Sequence, residues 1–265
     1  MFTSRRITSL NGSKFQDNFS TEFNLDSTNE YIQTSSTYQS VFRGSWSVVA
    51  WIKAEDAQTT ANQKIFGSRN SSQEDWFYVG IEQNDGGNPG KLRTYYETNN
   101  IADSGLSSDM SSSYLADGQG EWIHCIWSLD VSDNLFRFHV NGIPQGTSNY
   151  NTADIDETAF TTDINPDIGR ENNNGSGSDR FDGKISEFTL YDVAMKDNDA
   201  MTLYNGREAF DHKNWSKAQN VALWFRMGDG GAIGGDENTI KDLSGNGNNG
   251  TQQNIDAGDI AGDTP

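Results

Sequence analysis

Carboxylates, three histidines and one cysteine are the groups in this 265-residue chain that could carry covalent or proton-transfer chemistry. The reaction most demanding of paired carboxylates is glycoside hydrolysis. It needs a proton-donating acid and a nucleophile about 5–5.5 Å apart for retention. On a strand the pair must sit at even spacing, because successive side chains face opposite sides. Asp154 and Asp156, followed by Glu157, have that spacing but lie in a polar stretch without strand signal. Glu55-Asp56 and Glu74-Asp75 are adjacent, so on a strand they would face apart. His124 and His139 sit in apolar segments and read as packed or surface side chains rather than bases or metal ligands. Cys125 has no partner for an internal disulfide and reads as a small buried hydrophobe. These patterns point away from an enzyme.

Binding chemistry has better candidates. Trp76, Tyr78, Tyr95 and Tyr96 flank variable polar stretches. Such rings stack on sugar faces while Asn and Asp side chains hydrogen-bond the hydroxyls. Burial is the competing reading, because Trp and Tyr fill the core of any β sandwich. Trp51, Trp122, Trp127 and Trp224 are assigned to that core. The chain carries 19 basic and 38 acidic residues, a net charge of −19. Such a surface repels phosphate backbones and excludes free nucleic acid as a partner. No segment is long and apolar enough for membrane insertion as a helix. Residues 1–10 hold two arginines but no apolar run after them, so they do not read as a secretion signal. Folding in a reducing cytoplasm is therefore expected.

The elements that must position these residues are mostly strands. Segment 122–129 is apolar on both faces, with Ile123, Cys125, Trp127 and Leu129 on one side. In 135–140, Phe136, Phe138 and Val140 alternate with Leu135, Arg137 and His139, and Asn141-Gly142 supplies the turn. Further strands are expected over 20–25, 30–34, 45–53, 64–68, 76–82, 91–97 and 221–227. Segments 99–120, 146–162 and 171–179 read as polar connections, and 242–251 as loop. Segment 181–191 changes phase, which predicts a bulge near Ser186-Glu187. Asp197–Tyr204 reads as the one helix, with Met201 and Tyr204 on its apolar side and Asn205-Gly206 ending it. The expected fold class is all-β: a two-sheet antiparallel sandwich with one short helix.

Several segments then resemble one family, the laminin-G-like, concanavalin A-like jelly-roll domains. Asn24-Leu-Asp-Ser-Thr-Asn-Glu-Tyr-Ile32 is similar to their opening, and Ser45-Trp-Ser-Val-Val-Ala-Trp-Ile-Lys53 to the strand that follows. Glu121-Trp-Ile-His124, Val140-Asn-Gly142, Asp167-Ile-Gly169 and 181–191 match later motifs in order, so that the resemblance covers roughly residues 20–206. Family members often bind calcium through an acidic pair near the opening and the Asp of a later "I-D-E-V". Here those positions hold Asn29-Glu30 and Ser186-Glu187, each with a carboxylate lost. A calcium site at Asn29, Glu30 and Glu187 is what the resemblance implies; ordinary strand-edge residues are the alternative.

Residues 223–229, 240–251 and 258–265 resemble the closing segments of laminin-G-like structural proteins of marine tailed bacteriophages. That resemblance implies a non-enzymatic virion surface protein, such as a capsid decoration protein, fibre or tail appendage. Its partners would be capsid or tail proteins of the same particle, with host surface polysaccharide as a further one. A lectin-type carbohydrate-binding module of a secreted or cell-surface protein is the alternative, and a polysaccharide depolymerase the minor one. The expected organisation is an N-terminal arm over 1–18, the sandwich over 19–230, and a Gly/Asn/Asp-rich tail over 231–265. Sandwich edges and the basic arm leave a homo-oligomer open.

Overall fold

Period-two alternation sets the strands and short turns separate them. The computed structural model describes residues 18–24, 29–55, 62–82, 90–108, 120–151, 155–227 and 238–265. In chain order the first strands are β1 (Ser20–Phe23), β2 (Tyr31–Gln33), β3 (Trp46–Ala54), β4 (Gln63–Arg69), β5 (Trp76–Glu82) and β6 (Lys91–Thr98). Next come β7 (Ile101–Leu106), β8 (Ile123–Asp130), β9 (Leu135–Val140), β10 (Ile143–Asn149), β11 (Asp167–Ile168) and β12 (Glu171–Asn173). The rest are β13 (Ser176–Ser178), β14 (Gly183–Tyr191), β15 (Val221–Phe225), β16 (Thr239–Ile240), β17 (Gly250–Gln253) and β18 (Ile260–Ala261). Among the described residues there are two α-helices, α1 (Gln39–Phe42) and α2 (Asp197–Tyr204). The arm expected over 1–18 lies, apart from Asn18, outside the described residues.

The strands form the expected two-layer jelly-roll sandwich. The first sheet runs β10-β9-β8-β3-β14-β1-β18, and β15 pairs with the second half of β14. The second runs β16-β17-β2-β11-β4-β5-β6-β7, with the β12–β13 hairpin against β4. Trp46, Val48, Ala50 and Ile52 of β3 and Ile123, Cys125, Trp127 and Leu129 of β8 face inward, where they meet Phe66, Phe77 and Val79. Trp127 Nε1 donates to Gly80 O across the layers at 3.1 Å. The bulge falls where the phase change predicts it: the β14 register breaks between Ser186 and Thr189, and Glu187 takes a φ of 50°.

A second apolar layer covers the outer face of the first sheet. Val49, Ile126, Tyr191 and Trp224 pack against Met195, Ala200 and Leu203. Helix α2 therefore buries Ala200 and Leu203 rather than Met201, which is 67% exposed. That cover directs attention to the outer face and rim of the second sheet.

Three stretches read as connections are instead paired strands. Residues 101–106 form β7 through backbone hydrogen bonds to β6, although their side chains carry almost no apolar alternation. The 171–178 segment is a hairpin whose turn uses Asn174 and Gly175, at φ 50° and 87°. At the C-terminal end, β17 adds to β2 and β18 to β1.

Candidate functional site

The aromatic candidates divide by strand parity. Phe77, Val79 and Ile81 of β5 point into the core, so Trp76 and Tyr78 point out. On β6, Leu92 and Tyr96 point in and Tyr95 points out. Tyr96 is fully buried and donates its hydroxyl to Phe42 O at 2.7 Å, which removes it from any surface site. Trp76, Tyr78 and Tyr95 do come together, in register on neighbouring strands. Tyr78 and Tyr95 stack at 5.3 Å and 4°, and Trp76 lies 4.4 Å from Tyr95. Cations already occupy ring faces of this ladder. Lys64 Nζ lies 4.6 Å over Tyr78 and 4.9 Å over Trp76, and the Arg69 guanidinium 4.7 Å over Trp76. Tyr78 is only 3% exposed, while Trp76 and Tyr95 are half-buried. Burial raises the pKa of Tyr78, and burial with the bond to Glu97 raises that of Tyr95, so both stay neutral.

The calcium candidates do not assemble into a cation site. Glu187 accepts from Trp224 Nε1 at 2.8 Å and Arg226 Nε at 2.9 Å, so its charge is already matched. Glu30 accepts from the backbone N–H of Asn24 at 2.7 Å. The Asn29 carbonyl accepts from Asn254 Nδ2 at 2.8 Å. Among the described residues no cluster of three or more His, Cys, Asp or Glu side chains is arranged to hold a metal. Glu187 is thus committed to an ion pair at the β14 bulge, while Glu30 stays with the 24–30 segment.

The carboxylates weighed for hydrolysis also go elsewhere. Asp154 and Asp56 lie outside the described residues. Asp156 caps a 3₁₀ turn, accepting from Thr158 N. Glu74 is exposed and Asp75 buried.

Asp75 leads instead to a cleft that sequence reading did not find. The β4–β5 turn, 70–75, is closed by one side chain: Asn70 Oδ1 accepts from Glu74 N at 3.0 Å and Asp75 N at 3.2 Å. Asn70 Nδ2 donates to Asp75 Oδ2 at 2.8 Å, and the same oxygen accepts from Thr161 Oγ1 at 2.8 Å. The turn is thereby tied to the 161–163 segment, which Gln39 Oε1 braces from α1 by accepting from Thr162 N at 2.9 Å. Asp163 accepts from Ser71 N at 2.9 Å and from the Ser71 hydroxyl, and these bonds hold its carboxyl below the usual carboxylate range. Between these parts is a cleft of about 310 Å³ lined by Gln39, Asn70, Ser71, Ser72, Thr161, Thr162 and Asp163. Every lining side chain is an amide, a hydroxyl or a carboxylate. Gln73 Nε2 donates to Asn173 Oδ1 at 3.0 Å, which joins this rim to the β12–β13 hairpin.

Asn70→Ala is expected to lower stability by about 1–3 kcal/mol, because it leaves buried turn groups without partners. Urea unfolding measures the loss, which Asn70→Ser should not recover, since one hydroxyl cannot replace an amide that both accepts and donates.

Comparison with known proteins identifies the family and the fold. The sequence model of the concanavalin A-like lectin/glucanases superfamily matches residues 26–201. No curated protein matches the chain in sequence. Among solved structures, similarity extends to a Bacteroides ovatus protein to which carbohydrate binding has been provisionally ascribed (TM-score 0.59, 20% identity). The match covers 93% of this chain and 60% of that one, so this chain spans less than two thirds of its length. The Ruminococcus gnavus IT-sialidase CBM40 is also similar (TM-score 0.52, 15% identity, 70% of this chain and 96% of that one). A further structure of that module, bound to α2,6-sialyllactose, has a TM-score of 0.53 at 13% identity over the same shares.

Proposed function

The chain belongs to the concanavalin A-like lectin/glucanases superfamily, and from that premise we propose that it is a carbohydrate-binding module without catalytic activity. Its ligand enters the cleft between the β4–β5 turn and the 161–163 segment. The observation that carries this reading is the lining: a rim cavity of about 310 Å³ walled by amide, hydroxyl and carboxylate groups. Sugar hydroxyls both donate and accept, and such a wall answers both needs. The fold it shares with a protein ascribed to carbohydrate binding and with a sialidase module supports the same reading.

The non-catalytic assignment rests on how the one carboxylate lining the cleft, Asp163, and the one buried behind it, Asp75, are engaged. A glycosidase acid needs a raised pKa. Asp163 is held low by Ser71. Asp75 does not line the cleft, and its oxygens are taken by Asn70, Thr161 and Asn99 N. Trp76 and Tyr95 lie half-buried on the outer face of the same sheet, where an extended glycan would meet the exposed edge of Tyr95. The aromatic ladder is then a flank of the site rather than its floor.

Display on a phage particle, attached to capsid or tail proteins, rests on the resemblance of the closing segments and on no feature of the fold. It is compatible with a glycan cleft, since adsorption to host polysaccharide would use the same rim. A glycan array probed with the purified chain tests the carbohydrate reading. Retained signal is expected for the native chain and at least tenfold weaker binding for Gln39→Ala combined with Asp163→Ala. Absence of array signal together with tight binding to assembled capsids would favour attachment alone.

A further inference from the structure

The cleft has a charge character that selects among glycans. Resting on the carbohydrate-binding reading above, we infer that it takes neutral sugars and rejects chains bearing sialic or uronic acid at the bound residue. The lining contains one exposed carboxylate, Asp163, and no lysine or arginine. Two Ser71 donors keep that carboxylate ionised and fix it at the mouth. The arginines nearest in the chain are committed elsewhere. Arg43 Nε donates to Phe160 O at 2.7 Å, and Arg69 donates to Gln73 O at 3.2 Å while lying over Trp76.

A sugar carboxylate in this cleft would meet a fixed negative charge with no cation to offset it. Two like charges about 4 Å apart repel by about 1 kcal/mol in water, a factor of about five in affinity. A neutral hexose meets no such charge. Its hydroxyls donate to Asp163, whose oxygens retain lone pairs, and accept from the Gln39 amide. The surrounding chain, at −19 overall, adds to the repulsion at low salt. The preference would be opposite to that of a similar fold seen with sialyllactose.

The test is an array carrying matched neutral and sialylated or uronate-bearing versions of the same glycans. Calorimetric titration of the best neutral ligand and its charged counterpart follows. The charged member is expected to bind about fivefold more weakly. Asp163→Lys should narrow or invert that ratio, and Asp163→Asn should narrow it while keeping the side chain's shape. Equal or tighter binding of charged glycans by the native chain, or a ratio unmoved in Asp163→Lys, overturns this inference and leaves the carbohydrate reading standing. No binding of any glycan overturns that reading and the inference with it.

Discussion

Lys64→Ala is expected to destabilise the fold by about 3–5 kcal/mol, the cost of breaking a buried ion pair from one side. Lys64 is 3% exposed and its ammonium pairs with Glu171, whose side chain is 2% exposed, and with Asp179 at 2.9 Å. The same ammonium lies over Tyr78 and Trp76. One side chain therefore clamps the β12–β13 hairpin to the second sheet and covers the aromatic ladder. Removing it strands the Glu171 carboxylate, whose pKa burial already pushes up. Replacing both partners, Lys64→Met with Glu171→Leu, should restore most of the lost stability, because two apolar side chains need no desolvation. Urea midpoints of the single and double variants decide between these outcomes. A single variant within 1 kcal/mol of the native chain would mean that the pair is solvated.

The second large effect is loss of stability in mild acid. All three histidines of the chain lie beneath the cover on the first sheet. His124 packs against Trp51 and Tyr204, and His139 Nε2 lies 2.9 Å from Asp197 Oδ1 on α2. His212 bonds the Tyr191 hydroxyl and Thr189. Burial lowers His124 and His212 to pKa values of about 3, and lowers His139 against the pull of Asp197. A histidine whose folded pKa is depressed takes up its proton more readily when unfolded. Its stabilising contribution is complete above about pH 6.5 and falls by about 1.4 kcal/mol per pH unit below that. Between pH 7 and 5 the two strongly shifted histidines together withdraw about 4 kcal/mol.

Buried carboxyls oppose this trend. Burial holds Asp167 at a pKa of about 6 despite its bond to Arg170, and raises Glu171. A carboxyl raised in the folded state stabilises as the pH falls, and Asp167 returns about 1 kcal/mol over the same interval. The histidines win, and a net loss of about 2–3 kcal/mol at pH 5 is expected from urea unfolding. The combined variant His124→Gln and His212→Gln should flatten that dependence whatever its own stability at pH 7. An unchanged pH slope would place the sensitivity elsewhere.

Much of the sandwich is visible in the sequence because its signals are local. Strand β5 begins and ends where alternation places it, α2 spans Asp197–Tyr204 and stops at Asn205, and Asn141-Gly142 turns at φ 51° and 76°. Parity alone separates Tyr95 from Tyr96: adjacent residues on one strand cannot share a face, and Leu92 shows which parity is the core. Strand β7 was hidden because its pairing rests on backbone bonds under polar side chains. The 171–178 hairpin did carry a signal, the Asn174-Gly175 pair, but it sat inside an Asn/Gly/Ser run that resembles flexible loop.

The cleft is different in kind. Gln39, 70–72 and 161–163 come from three segments separated by some thirty to ninety residues, and each is ordinary in type and context. Long-range bonds from Thr161 to Asp75, from Ser71 to Asp163 and from Thr162 to Gln39 bring them to one place. No periodicity encodes such a meeting, whereas aromatics stand out by type, and the fold uses them mainly for packing.

The most direct test of the account is to map where a glycan lands. Titrating the isotopically labelled chain with its best array ligand should perturb backbone amide resonances of 70–75 and 161–163 first. Those of 93–97 should follow only with longer glycans. Perturbation centred on the outer face of β5 and β6, with 161–163 unmoved, would contradict the cleft as the binding site.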